Sequence, residues 1–412
     1  GINPYTALVQ ANDGSVYGSA QNASKPGDGV IFRWTADGSF EIVHSFGGGQ
    51  DGNEPIGELT FGPDGNLYGL TTVGAAHGYG GIFRMTLSGA LTNLYSFNGG
   101  TDGYNPYGAL ALGTDGSFYG VTRRNTIQNI QFDGTIFKFS PEGGLTTLYT
   151  LNPLYNFDGE YPFAGLVQGA DGNFYGTTLY SDSAENGTVF GIATSGDFVT
   201  LTTLNGSDDG ALPKAALVQD SQGNLYGTTT AGGPYGKGTI FRISITSLPE
   251  ITAEPSNEVV FAGSQAQFSV GVFGASPLTY QWLKNGGDLS DNARVSGSTS
   301  RVLTVNNVSD ADAATFTVTV SDALGSVTSS GATLTVLSGP PVIQTVTETS
   351  ETLSFTWGSV SGLAYQVQTT TDLQSGQWVN VGGVLNATTD TLSASYSVDP
   401  SSQQFYRVVL LP

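Results

Sequence analysis

Glu58 is the residue that most invites a chemical reading. It follows Pro55 by three positions, and the residues that follow Pro4, Pro106, Pro162 and Pro213 by the same interval are Ala7, Ala109, Gly165 and Ala216. A carboxylate where four equivalent positions are small can bind a ligand or act as an acid. Glycoside hydrolysis needs two carboxylates at a set separation. Glu54 is near in sequence, but no clearly opposed acid emerges, so no catalytic residue is assigned. The positions flanking the prolines also vary. Tyr5, Ile56, Tyr107, Phe163 and Lys214 come after them, and Asn3, Glu54, Asn105, Tyr161 and Leu212 before. Aromatic rings with a few polar groups suit the stacking of a sugar or a peptide. The candidate ligand-binding residues are therefore Tyr5, Glu54, Glu58, Tyr107, Tyr161, Phe163 and Lys214. The plainer reading of the same residues is a packed rim that closes a channel. Arg123-Arg124, read as part of a long loop, could grip an anion, but such a pair is more often solvated.

Metal and thiol chemistry find little support. There is no cysteine, which removes disulfides and thiolate sites. No Asp-x-Asp-x-Asp-Gly loop is present for calcium. His44 and His77 stand apart and read as surface or loop residues. No metal or cofactor is expected.

The elements that position these residues come from one unit written five times. Tyr17, Tyr68, Tyr119, Tyr175 and Tyr226 each lie 13 residues after their proline, and each is followed by glycine. Phe32, Phe83, Phe137, Phe190 and Phe241 follow 15 residues later, or 18 in the third copy, and Phe46, Phe97, Leu151 and Leu204 close the first four copies. The common period is 51 residues, as from Tyr17 to Tyr68. A repeat of that length is one supersecondary unit that cannot bury its own apolar face. Each copy reads as four strands, exemplified by 109–112, 66–71, 81–85 and 92–97. Asp-Gly pairs, eleven of them between Asp13 and Asp209, mark the turns because both residues tolerate positive φ. Four short strands repeated radially describe a propeller blade. The expected fold is all-β: a β-propeller of at least five four-stranded blades over residues 1–248, then two β-sandwich domains. Extra length at 123–134 and 152–161 reads as loops, and Tyr17 and its equivalents as core between blades.

The fifth copy passes through Ser247-Leu248-Pro249 without a fourth strand. The missing strand is expected from residues upstream of Gly1 or from another chain, since an unpaired outer strand favours association. Residues 249–338 read as an immunoglobulin-like sandwich, with Trp282 in its central strand, Phe316 at the tyrosine-corner position and Val270 and Val318 where antibody domains carry the disulfide. Residues 339–412 read as a fibronectin-III-like sandwich with six strands, the last, Phe405-Tyr406-Arg407-Val408-Val409, at an exposed edge.

With 34 acidic and 13 basic residues the net charge is −21, and no block is basic. Phosphate neutralisation needs clustered Lys and Arg, so nucleic acid is excluded as a partner. Anionic membrane surfaces are disfavoured, and no apolar stretch approaches a membrane span.

The repeated Asp-Gly-Asn-Leu-Tyr-Gly-Thr-Thr, followed by Gly-Thr-Ile-Phe-Arg, resembles the GloVer tandem repeat of large bacterial secreted or surface proteins. Residues 249–338 resemble bacterial immunoglobulin-like domains, and the tail resembles a C-terminal β module found on such proteins. The resemblance implies propeller-like repeats and a secreted or cell-surface setting, with no settled catalytic activity. The function expected is a non-enzymatic extracellular structural or adhesive protein that assembles head-to-tail into a fibre or surface layer. Its partners would be other copies of itself or cell-surface components. The alternatives are a glycan-binding, lectin-like propeller and, behind it, a glycoside-active enzyme centred on Glu58.

Overall fold

A computed structural model describes residues 4, 7–21, 29–127, 130–132, 134–142, 144–151, 158–181, 186–245, 249–275, 277–337, 339, 341–349, 351–360, 362–397 and 403–411. The chain is all-β, built of many small antiparallel sheets, and the one helix among the described residues is the 3-10 turn Asp310–Asp312. No helix among them is long and apolar enough to cross a membrane. It divides into two compact units. One is Gly1–Glu254 with Val270–Tyr280 and Thr319–Ser329; the other is Pro255–Ser269, Gln281–Val318 and Ser330–Pro412.

Each sequence repeat makes its own sheet. In the second, Asn53–Phe61, Leu67–Val73, Gly81–Met85 and Leu91–Ser96 pair antiparallel in chain order. The first strand begins well upstream of the expected tetrapeptide in the second and third repeats, at Asn53 and Tyr104. The extra length of the third repeat is not simply a loop: Phe118–Ile127 runs on and pairs with Ile130–Phe132. Residues 152–157, most of the other expected loop, lie outside the described residues. In the fifth repeat Ile240–Ser244 pairs with Asn224–Ala231, and among the described residues no fourth strand pairs with it; the next strand, Glu250–Ala253, pairs with Gly271–Phe273.

The recurring anchors have direct physical roles. Phe83 lies opposite Gly69 across the second and third strands, as Phe32 lies opposite Gly18, Phe137 opposite Gly120 and Phe190 opposite Gly176. A Cβ on any of these glycines would stand 2.5–2.6 Å from the ring's Cζ, so the missing side chain is the seat of the phenylalanine. The tyrosine packs against the next repeat. Tyr68 stacks on Phe118 with centroids 4.3 Å apart, and Tyr119 on Phe174 at 3.9 Å. Tyr17, Tyr68, Tyr119 and Tyr175 are buried, and successive apolar clusters each draw on neighbouring repeats. Their hydroxyls are satisfied at the turns: Tyr68 donates to Asp64 at 3.1 Å, Tyr119 to Asp115 at 3.0 Å, and Tyr175 to Asp171.

The immunoglobulin-like region has, besides the short antiparallel pair Glu250–Ala253 and Gly271–Phe273, two larger sheets. One holds Glu258–Phe261, Ala332–Leu337, Ala314–Ser321, Thr279–Lys284 and Gly287–Asp288, with Ser326–Thr328 on its flank; the other holds Ala266–Ser269, Val302–Val305 and Val295–Ser296. Trp282, Val270, Val318 and Phe316 are all buried. Phe316 stacks on Phe268, with centroids 4.7 Å apart. The C-terminal region has six strands in two three-stranded sheets around Phe355, Trp357, Tyr365 and Val367. Its last strand, Phe405–Leu410, lies at a sheet edge.

Candidate functional site

The residues just after each proline converge. Ala7, Glu58, Tyr107, Phe163 and Lys214, one from each repeat, line a single cavity of about 670 Å³ together with their small neighbours. Glycine makes this convergence possible. Gly57 has φ +85° and Gly108 φ +75°. A Cβ on Gly57 would overlap the Gly108 carbonyl, and one on Gly108 would overlap the backbone at Gly165. The backbones of the second, third and fourth repeats therefore touch around the cavity, and only glycine allows both that approach and that φ.

The cavity's side chains are asymmetric in chemistry. Glu58 is solvent-accessible, yet partial desolvation by the surrounding protein holds its carboxyl above the ordinary carboxylate range. Lys214, from the fifth repeat, is exposed. Tyr107 and Phe163 pack with ring centroids 4.3 Å apart. Arg123 braces them: its guanidinium carbon lies 5.1 Å from the Tyr107 centroid and 5.2 Å from that of Phe163. Each such cation–π contact contributes on the order of 0.5–1 kcal/mol at a partly exposed site. Arg123 and Arg124 lie on the strand Phe118–Ile127 rather than in a loop. Arg124 rests 5.4 Å from the Tyr161 ring centroid. Sequence reasoning missed this bracing, because the arginines stand in the one repeat whose second strand is lengthened.

Glu54 and Tyr161 are placed differently. Glu54, Asn105, Tyr161 and Leu212, each before a proline, share φ between 52° and 58°, a left-handed conformation that costs a non-glycine residue on the order of 1–3 kcal/mol. The position is a backbone device, and these side chains are not among those lining the cavity. The Glu54 carboxylate accepts a hydrogen bond from Gln21 Nε2 at 3.1 Å, and its carbonyl accepts one from Thr72 at 2.9 Å. Tyr161 meets Tyr180 edge-on at 5.6 Å. Tyr5 lies outside the described residues.

His44 is not a loop residue. It sits on the strand Phe40–Ser45, half-buried, with Nε2 3.4 Å from Asp51. The same place in the next two repeats holds Tyr95 and Tyr149, which donate to Asp102 at 2.9 Å and Asp158 at 2.7 Å. His44 is thus the first repeat's version of a recurring contact that ties the fourth strand to the following Asp-Gly. His77 is exposed on the segment between two strands, as expected. Among the described residues no group of three or more His, Asp and Glu side chains is arranged to hold a metal.

The family model of the Gloeobacter/Verrucomicrobia repeat matches residues 1–169 and again 127–273, and that of the immunoglobulin domain matches residues 249–322. No curated protein matches the chain. Among solved structures, the titin M10–obscurin-like 1 Ig complex is 26% identical, with 23% of this chain and 98% of that one covered, at a TM-score of 0.21. The twitchin kinase region from C. elegans is 23% identical over 24% of this chain and 18% of that one, also at 0.21.

Proposed function

This chain belongs to the Gloeobacter/Verrucomicrobia repeat family, and from that footing we propose that its repeats form a β-propeller of at least five blades that serves as a non-enzymatic adhesive module outside a bacterial cell. The observation that carries the proposal is the cavity to which every repeat contributes. Linear stacking would separate the repeats from one another; a radial arrangement brings all five to one axis. A secreted or surface setting accords with a cysteine-free, uniformly acidic chain that continues into an immunoglobulin-like domain. The two three-stranded sheets at the C-terminus fit a fibronectin-III-like spacer beyond it.

The cavity favours a glycan as the adhesive ligand. It offers a ring pair, Tyr107 and Phe163, for stacking on a sugar face, and two polar groups of opposite charge, Glu58 and Lys214, for hydroxyls. Glu58 is the one carboxylate among its described lining residues, which supports binding over two-carboxylate hydrolysis. The test is a glycan array probed with the full chain and with Tyr107→Ala. Selective retention that Tyr107→Ala abolishes, at unchanged thermal stability, is the expected result. No retained glycan, or turnover of one that stops in Glu58→Gln, overturns the proposal.

A further inference from the structure

Glu58 and Lys214 are the two charged side chains that line the cavity. Among the described residues neither takes part in an ion pair or a side-chain hydrogen bond. Burial alone shifts the Glu58 carboxyl. The two stand on different repeats, the second and the fifth, and face one space of about 670 Å³ without meeting across it. Every other described lining residue is uncharged, and Tyr107 alone among those has a polar side-chain atom.

The fold needs neither charge. In the other repeats the place of Glu58 is taken by Ala7, Ala109, Gly165 and Ala216, and that of Lys214 by Tyr5, Ile56, Tyr107 and Phe163. Small or apolar residues serve at both places, so a single acid and a single base add nothing to the packing. A charge that departs from the repeat once, inside a cavity and without a partner, is explained by what enters the cavity.

The occupant has to satisfy both charges. A neutral sugar that filled the space would strip water from an acid and a base and return only hydroxyls. A polyanion would meet the Glu58 carboxylate and a chain of net charge −21. A polyamine would meet the Lys214 ammonium. A molecule that carries both signs relieves both desolvated groups and is repelled by neither. Arg123 leaves this balance unchanged, since its guanidinium lies over Tyr107 and Phe163 and is not part of the cavity lining. Because Glu58 and Lys214 do not meet, the charges of the occupant must be separated as well, as they are on neighbouring rings of a disaccharide. A cavity of this size accepts a ligand of that size.

We propose that the cavity takes a zwitterionic saccharide, a disaccharide unit with a free amine on one ring and a carboxylate on the other. The amine lies at Glu58, the carboxylate at Lys214, and a sugar face on Tyr107 and Phe163. This rests on the reading of the cavity as a glycan site and narrows the glycan.

The experiment is isothermal titration calorimetry of the full chain with five probes. They are glucosamine linked to glucuronic acid with its amine free, the same disaccharide N-acetylated, chitobiose with both amines free, diacetylchitobiose, and diglycine, a zwitterion without a sugar ring. The zwitterionic disaccharide should bind about 10–100-fold more tightly than each of the others. Glu58→Gln should reduce its affinity to that of the N-acetylated form, and Lys214→Met should weaken it by at least about 10-fold. Lys214→Glu should turn the preference to chitobiose with free amines, a reversal that loss of folding cannot produce. Diacetylchitobiose or a singly charged disaccharide bound as tightly as the zwitterion overturns the proposal and leaves the glycan reading standing. So does zwitterion binding that Glu58→Gln and Lys214→Met leave unchanged. Diglycine bound as tightly as the disaccharide, or none of the five bound, overturns both.

Discussion

Gly191 interrupts a pattern, and Phe273 occupies the gap. Opposite the recurring tyrosine stand Arg33, Arg84, Lys138 and Arg242 in four repeats, but Gly191 in the fourth. There the Phe273 ring, 4% exposed, meets Tyr175 edge-on at 6.1 Å, and Asn173 Nδ2 donates to the Gly274 carbonyl at 2.7 Å. A Cβ on Gly191 would overlap Phe273 Cζ and lie 2.7 Å from its Cε2. Gly191→Lys, which installs the third repeat's residue, must therefore expel the ring. Losing a buried phenylalanine side chain costs about 3–5 kcal/mol, and the backbone contact of Asn173 adds about 1 kcal/mol. We expect Gly191→Lys to destabilise the wild type by about 4–6 kcal/mol. In a Phe273→Ala background the slot is empty and the strand gains a side chain. There the same substitution should be neutral or stabilise by about 0.5–1 kcal/mol. Urea denaturation of the four proteins gives the double-mutant cycle, and hydrogen exchange across residues 270–275 reports whether the segment has come loose. Equal destabilisation in both backgrounds would refute the reasoning.

Three further outcomes follow from the same geometry. Asp312 is held at about 2, below its ordinary 3.8: burial acts to raise it, but the Ser309 N–H and the bidentate Arg294, at 2.7 and 2.8 Å, outweigh that. Because the folded value is the lower one, this contribution is complete above pH 3.8 and is lost as the pH falls toward 2; Asp312→Asn should cost about 2 kcal/mol at pH 7 and flatten acid unfolding in that window. Gly103 has φ +83°, and a Cβ there would crowd Thr122, so Gly103→Ala should lower stability in denaturant titrations by at least about 1–3 kcal/mol. Tyr119→Phe removes the bond to Asp115 while keeping the stack on Phe174, and should cost only about 1 kcal/mol in the same assay.

The repeat was legible because its anchors are steric necessities. A glycine seats the phenylalanine across from it, and a tyrosine crosses to the next repeat, so both recur at fixed spacing. The convergence of Glu58, Tyr107, Phe163 and Lys214 was legible for the same reason, since equivalent positions in a repeat meet equivalent neighbours. What stayed hidden depends on single copies. Arg123 reads as a loop residue until the lengthened strand carries it over the rings. Gly191 reads as an ordinary strand residue unless it is compared with the four basic residues at its position, and even then nothing in the sequence names Phe273, 82 residues later, as the group that fills the space. Glu54 and Tyr161 look like mouth residues by position, but the left-handed backbone before each proline directs them elsewhere.

The radial arrangement of the repeats is the claim on which the cavity and its ligand depend. A cysteine-free chain allows it to be tested with one pair of substitutions, Glu58→Cys and Lys214→Cys, on the second and fifth repeats. In a linear stack, with sheets about 10 Å apart, these positions would lie three steps or about 30 Å from one another. Around one cavity they face the same space, within reach of a bismaleimide spanning roughly one such step. The account predicts a rapid intramolecular cross-link between the two positions in the folded monomer, lost on unfolding in urea. Labelling of both sites without a cross-link, or cross-linking only between molecules, would contradict it.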